Sequence, residues 1–464
     1  MGVGVDEELM PLKGRVGRHA SDGRHCQNWK ADQQTVMDLL NRVAVADGGA
    51  AGSLGGRIVA GLASTALYQA ILAFEKKHFA GQAKGFVDPA GAVLVKLEAL
   101  ANRPPSAPAA PKPANQWDVL TTKSVMQGVR EGLADDNKLS HADTINIVRS
   151  TLSDGVITQK EINDLFALIS TAKSLEPRSR ALLFKVATTL NSGATKGKTL
   201  ELRGDDQKIA AELICKFMQR SGNPYWPGLD RDQVGASLLM RIANPSTIDQ
   251  NNASLCGPAA VMFGFAADQP AAYAKFAIEL FEKGEAPLGR HNTISPHPLL
   301  RHINPGINID QGDWMTLGSL RSSENWLVDY WSTDQEVGGI TTAWELARWL
   351  GDAGYRDVRE ETNAVRDKDE SNLREASRLY EAGYRTVLFI DSGMLKTKTQ
   401  SDDSGILDRH WVVLRSKVQI ANGSVRFMVY TWGEGERTIP QDPSVPLSLS
   451  NFLQNYHGYV AGKP

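Results

Sequence analysis

Cysteine is scarce in this chain. Cys26, Cys215 and Cys256 are spread over 464 positions with no C-x-x-C pair among them, which argues against a disulfide framework and against a zinc site and leaves reduced thiols as the natural state. An excess of charge is also missing: 51 Lys and Arg face 53 Asp and Glu, a net charge of -2. With no basic block either, a nucleic-acid binder working through bulk electrostatics is excluded. Long apolar runs are absent. The stretch from Ile58 to Ala73 is interrupted by Gly61, Ser64, Thr65, Tyr68 and Gln69 and is too polar for a membrane span, so no membrane insertion is expected. The opening residues Met1 to Glu8 carry neither a basic n-region nor an apolar h-region. The expected location is therefore cytoplasmic in the producing cell, with any export left to machinery that does not read a signal peptide.

What is present is the composition of a soluble globular protein, 42% hydrophobic and 22% charged, over a length that predicts two to four domains. The stretch that organises the chain is Gln250-Asn251-Asn252-Ala253-Ser254-Leu255-Cys256-Gly257-Pro258. A polar approach leads to one cysteine, and a run apolar on all sides follows from Ala259 to Ala266, as in a helix buried within a domain. Pro258 suits a first helical turn. A thiol placed there is helped toward thiolate by unpaired backbone N–H groups and the positive end of the helix dipole.

In chain order, apolar residues at helical spacing predict three helices before residue 102: Val36, Leu39, Leu40 and Val43; then Leu67, Ile71 and Phe74; then Val93, Leu94, Leu97 and Leu100. Residues 103–116 are a Pro/Ala linker, extended and semi-rigid, after which the first domain is expected to move as a unit. From Trp117 the chain reads as all-helical, with helices around Val125, Ile145, Ile162 and Leu182. The turn Asp154-Gly155-Val156-Ile157 has the look of half an EF-hand, but loop positions one and three fall on Ser150 and Leu152, which supply no carboxylate. It reads as scaffolding. The expected boundaries are 1–102, 103–116, 117–240 and 241–464.

In the last of these, helices are expected over 270–283, over 341–350 with a Thr342/Glu345 capping box, and over 371–382. Strands follow at Thr386–Ile390, His410–Leu414 and Val425–Tyr430, the last two joined across Asn422-Gly423. Helices followed by an antiparallel sheet make an α+β domain. The fold class is thus multidomain: a small all-α N-terminal domain, an all-α middle domain and an α+β C-terminal domain. His291, His297 and His302 lie on irregular backbone without an acidic partner pattern and read as solvated or capping residues, so no metal and no cofactor is expected. Thiol catalysis needs a base and donors aimed at an oxyanion. His410 opens a strand, and Gln250, six positions before Cys256, carries an amide N–H able to meet the same oxyanion as the Cys256 backbone N–H.

Two resemblances follow. Val36-Met37-Asp38-Leu39-Leu40-Asn41, Ala70-Ile71-Leu72-Ala73-Phe74-Glu75 and Val87-Asp88-Pro89-Ala90-Gly91 resemble the peptidoglycan-binding-like domain, in the variant at the front of bacterial effectors delivered by type VI secretion. That implies an adaptor for a delivery apparatus or a binder of cell-wall polymer. The Gln-x5-Cys-Gly stretch with the later His410-Trp411-Val412-Val413 strand resembles the papain-like cysteine peptidases, including the bacteriocin-processing and type III effector branches. This second resemblance implies Cys256 as nucleophile, His410 as general base and acid, and Gln250 as oxyanion donor. Where that family has an Asp or Asn to orient the histidine, this chain has Thr431-Trp432-Gly433-Glu434. Thr431, Glu434 and Asp408 are the candidates, with Thr431 taken first. The implied function is a secreted cysteine protease toxin acting on a protein or peptide substrate, with a secretion-apparatus component and an immunity protein as partners. A peptidoglycan amidase or glutamine deamidase using the same thiol, or a binding protein with a papain-like shell, are the alternatives.

Overall fold

The computed structural model describes residues 12–17, 26–55, 58–79, 83–102, 117–193, 200–222, 225–251, 253–289, 292–305, 309–323, 341–363, 369–395, 409–431, 435–442 and 444–464. It is mixed helix and sheet, about 53% helical, with an antiparallel eight-stranded sheet in the C-terminal part. None of the described helices is long and apolar enough to cross a membrane.

The three expected N-terminal helices are α1 (Lys30–Arg42), α2 (Thr65–His78) and α3 (Ala92–Ala101). Ser64 starts α2 by accepting from the Leu67 N–H, which satisfies one of the orphan donors of the first turn. The region is not purely helical, because β1 (Val16–Gly17) pairs antiparallel with β2 (Phe86–Val87). Glu75 on α2 holds the turn into β2, accepting from the Lys84 and Gly85 N–H groups. Helices α4 (Lys123–Gly132), α5 (His141–Thr151), α6 (Gln159–Thr171), α7 (Pro177–Gly193), α8 (Asp205–Gln219) and α9 (Arg231–Ala243) follow. Here too a two-residue ladder interrupts the helices, β3 (Val156–Ile157) against β4 (Leu200–Glu201). Ladders of two residues carry no alternation that a sequence pattern can register. The EF-hand-like turn is scaffolding in form: Ser150 lies within α5, Leu152 caps it, and the Asp154 carboxylate accepts from the Val156 N–H. Helix α2 packs on α7, and the turn Val45–Asp47 packs on α6. The linker at 103–116 lies outside the described residues.

The C-terminal half begins with α10 (Cys256–Asp268) and α11 (Pro270–Lys283). Next come a hairpin of β5 (Ala286–Leu288) and β6 (Asn292–Ile294), then α12 (Pro298–His302). His297 caps α12 through Nδ1, in keeping with a capping histidine; His291 lies outside the described residues. Then α13 (Gln311–Asp313) runs through a π turn, Trp314–Gly318, into α14 (Ser319–Ser322). Helix α15 (Ala343–Asp352) has the Thr342/Glu345 capping box, and α16 (Glu370–Glu381) ends before Gly383 at φ +84°. The strands are β7 (Arg356–Thr362), β8 (Arg385–Asp391), β9 (Arg409–Leu414), β10 (Gln419–Ala421), β11 (Ser424–Thr431), β12 (Gly435–Ile439), β13 (Leu447–Ser448) and β14 (Tyr456–Lys463), with α17 (Leu449–Leu453) between the last two.

The sheet order is β10-β11-β9-β8-β14-β7, with β12 and β13 also pairing β11. The Asn422-Gly423 turn joins β10 to β11, a correction to the expected β9–β11 hairpin, although β9 and β11 are neighbours. The strand closing the chain, β14, lies inside the sheet between β8 and β7. Helix α10 lies against one face, its Phe263 ring stacked on Tyr430 of β11 with centroids 4.1 Å apart. A helix apolar on all sides is what this position requires, since sheet and helices cover it together.

Candidate active site

Cys256 is the first residue of α10, so its thiol stands among backbone N–H groups that have no intrahelical acceptor. The sheet provides the opposing wall. Strands β9 and β11 pair at Val413 with Tyr430 and at Leu414 with Val429. The thiol packs against β9: the backbone N–H groups of Trp411, Gly257 and Cys256 itself all face it. Burial pushes the thiol above its ordinary value, while those three amides and the Arg321 charge pull it back.

Close approach of α10 to the neighbouring chain depends on Gly257. A Cβ there would lie 2.4 Å from Thr341 Cγ2 and 2.5 Å from its Cβ and Oγ1. Thr341 is itself fixed from the sheet, its carbonyl accepting from Trp411 Nε1 at 3.0 Å. The Trp411 ring, 1% exposed, stacks on Phe389 with centroids 4.3 Å apart.

His410 Nε2 lies 3.1 Å from the hydroxyl of Thr431, which is buried on β11. Where the Thr431 oxygen accepts from Nε2–H, Nδ1 is the basic nitrogen of the neutral ring, although a hydroxyl lacks the charge with which a carboxylate would stabilise an imidazolium. Burial drives His410 down to about 3, so the ring is neutral at neutral pH. Burial thus pushes the thiol and the imidazole alike toward their neutral forms. The other two candidates for orienting residue, Asp408 and Glu434, lie outside the described residues, as does Trp432.

Gln250 sits in the turn before the helix, 9% exposed, its carbonyl accepting from the Ala253 N–H. Its Oε1 has no hydrogen-bond partner among the described residues. The turn is anchored from behind by a network without a sequence pattern to announce it. Arg241 on α9 grips Asp313 through Nε and Nη2 at 3.1 and 2.6 Å. Asp313 also accepts from the Asp249 N–H at 2.9 Å, and the Tyr430 hydroxyl donates to the Ile248 carbonyl. Arg241 and Asp313 are both buried, 6% and 0% exposed, and their partners lie 72 residues apart in sequence. Only a fold could bring them together.

Among the described residues no group of three or more His, Cys, Asp or Glu could hold a metal ion. Hollows of about 460 Å³ beside the far end of α10, and about 620 Å³ between α2 and α6, lie away from Cys256. A thiol with backbone amides beside it suits attack by sulfur on an electrophilic carbon, the amides standing where an oxyanion would develop. None of the protein-family models, curated proteins or solved structures compared with the chain matches it.

Proposed function

We propose that the chain is a papain-like cysteine hydrolase that cleaves amide bonds, a protease used as a secreted bacterial toxin. In this reading residues 241–464 form the catalytic domain, 117–240 a helical domain and 1–102 a peptidoglycan-binding-like adaptor. The observation that carries the reading is the placement of Cys256 at a helix start facing the Trp411 N–H of β9, one residue after a histidine whose Nε2 meets Thr431. Cys256 Sγ attacks the carbonyl carbon and its proton passes to His410 Nδ1. The oxyanion is met by the Cys256 N–H and by the Gln250 side-chain amide. His410 then protonates the leaving nitrogen as the C–N bond breaks, and water, deprotonated by His410, hydrolyses the thioester and restores the thiol.

Delivery by type VI secretion through the N-terminal adaptor, a protein or peptide substrate, and a cognate immunity protein in the producer complete the proposal, with no role for nucleic acid or membrane insertion. The test compares wild type with Cys256→Ala in target cells, reading growth and newly formed protein N-termini. Loss of both toxicity and cleavage in a folded variant is expected. A folded Cys256→Ala protein that remains fully toxic overturns the proposal, and release of muropeptides from sacculi without protein cleavage redirects it to peptidoglycan amide bonds.

A further inference from the structure

A buried charged pair stands beside the start of α10 and belongs to no part of the proposed dyad. Arg321, on the short helix α14 just after the π turn, directs Nη1 to Glu345 Oε1 at 2.9 Å. Both side chains are nearly buried, 9% and 11% exposed. The other carboxylate oxygen of Glu345 accepts from the Thr342 N–H at 2.7 Å, and the Glu345 N–H donates back to Thr342 Oγ1. Thr341, one residue earlier, is the side chain pressed against Gly257. A continuous chain of contacts thus runs from Arg321 through Glu345 and the start of α15 to the helix turn that carries Cys256. The Arg321 charge acts on the thiol directly as well. π turns inserted into helices recur at functional sites because they re-aim the residues that follow.

We propose that Arg321 is the positioning residue of the Cys256 site and supplies the cationic field for its thiolate, with Glu345 setting how much of that charge the sulfur feels. The inference rests on the reading of Cys256 as a nucleophile. It meets a demand of the reaction: the thiolate formed as the proton leaves is helped by a fixed cation, and the Thr431 hydroxyl gives His410 only a neutral partner. Among the described residues, the charged and titratable groups set against the thiol and its turn are His410 on β9, Arg321 on α14 and Glu345 on α15, with Asp249, Asp313 and Arg241 behind the approach turn.

The test is the pH dependence of Cys256 alkylation by iodoacetamide in the full chain, followed peptide by peptide so that Cys26 and Cys215 do not contribute. Arg321→Met is expected to raise the alkylation midpoint and slow reaction at pH 7.5 by about 3–10-fold, the effect of a half to one unit in the thiol. Glu345→Gln, which leaves the guanidinium less neutralised, is expected to lower the midpoint and speed alkylation by roughly 3-fold. Arg321→Lys restores the charge and most of the rate. A merely structural pair moves both single variants in the same direction, and that outcome, or unchanged midpoints in both, overturns the proposal. Should Arg321→Met fail to fold, Glu345→Gln decides alone, because only the electrostatic role predicts a faster thiol. Alkylation requires no substrate. If Cys256 behaves as predicted but no amide is cleaved, the hydrolase reading fails while the inference about Arg321 stands.

Discussion

Cys215 and Cys256 differ in what their helices do with a thiol. Cys215 lies within α8, fully buried, and burial pushes it up to about 12. Cys256 lies at the first residue of α10, partly exposed, and three backbone N–H groups oppose the same penalty. Side-chain identity is equal, so the difference comes from position along the helix. In the interior every N–H is spent on a carbonyl one turn back, whereas the first turn has N–H groups to offer an anion. A helix start packed against the sheet turns an inert packing residue into a candidate nucleophile.

The largest effect should follow from removing the base. His410→Ala is expected to lower amide hydrolysis by about 10²–10⁴-fold, measured as kcat/KM on any peptide identified as substrate, and to leave Cys215 unreactive as before. Because burial holds His410 at about 3, the folded state binds its proton less readily than the unfolded chain between about 3 and the ordinary 6.5. Stability should therefore be intact above about 6.5 and fall as pH drops through that window. His410→Gln should flatten the fall; an equally steep profile in that variant would contradict a neutral His410.

Next in size is the anchor behind Cys256. Arg241→Met leaves Asp313 buried without its partner, a change that costs about 3–5 kcal/mol and is read from urea unfolding. Burial already raises Asp313 to about 6. A carboxyl with a raised value favours the folded state when protonated, so the loss should ease as pH falls from 8 to 5. Replacing both partners by apolar residues should recover most of the stability while Cys256 alkylation changes more than that of Cys215, since the approach to Cys256 is held to Asp313 through the Asp249 N–H. The two thiols give the third prediction. At pH 8 iodoacetamide should modify Cys256 at least roughly tenfold faster than Cys215, the thiolate fraction falling tenfold per unit of elevation. Equal rates would remove the contrast between helix start and helix interior.

Much of the fold was legible where a pattern is local. Val36 and Leu40, Ile162 and Leu165, and the Thr342/Glu345 box mark helices through contacts three and four residues apart. The start of α10 at Cys256 followed from an apolar run after Pro258. What sequence could not supply is pairing at a distance. Tyr456–Lys463 contains Gly458 and Gly462 and is buried on nearly every residue, so it lacks the alternation that signals a strand, yet it sits between β8 and β7. The Asn422-Gly423 turn was rightly seen as a hairpin but assigned to the wrong partner, because β10 is only three residues long. At the site, the sequence order placed His410 and Thr431 on successive strands of one sheet, and their side chains meet. The roles of Arg241, Asp313 and Arg321 were invisible, since each exists only through contacts across tens of residues.

The smallest predicted effect tests the least conventional member of the site. Thr431 places a neutral hydroxyl 3.1 Å from His410 Nε2, and a neutral hydrogen bond is worth about 0.5–1.5 kcal/mol. Thr431→Val keeps the shape and the β-branch while removing the oxygen. It should lower kcat by roughly 2–10-fold with little change in KM, because the contact orients the base and does not hold substrate. A loss of several hundredfold would mean that Thr431 does more than fix a tautomer. No change at all would shift the orienting role to another group. Either result bears on the contrast between the two cysteines: amides at a helix start favour the thiolate, but a neutral base held by a hydroxyl limits how fast the proton leaves, so Cys256 should be reactive toward alkylation well before it is an efficient hydrolase.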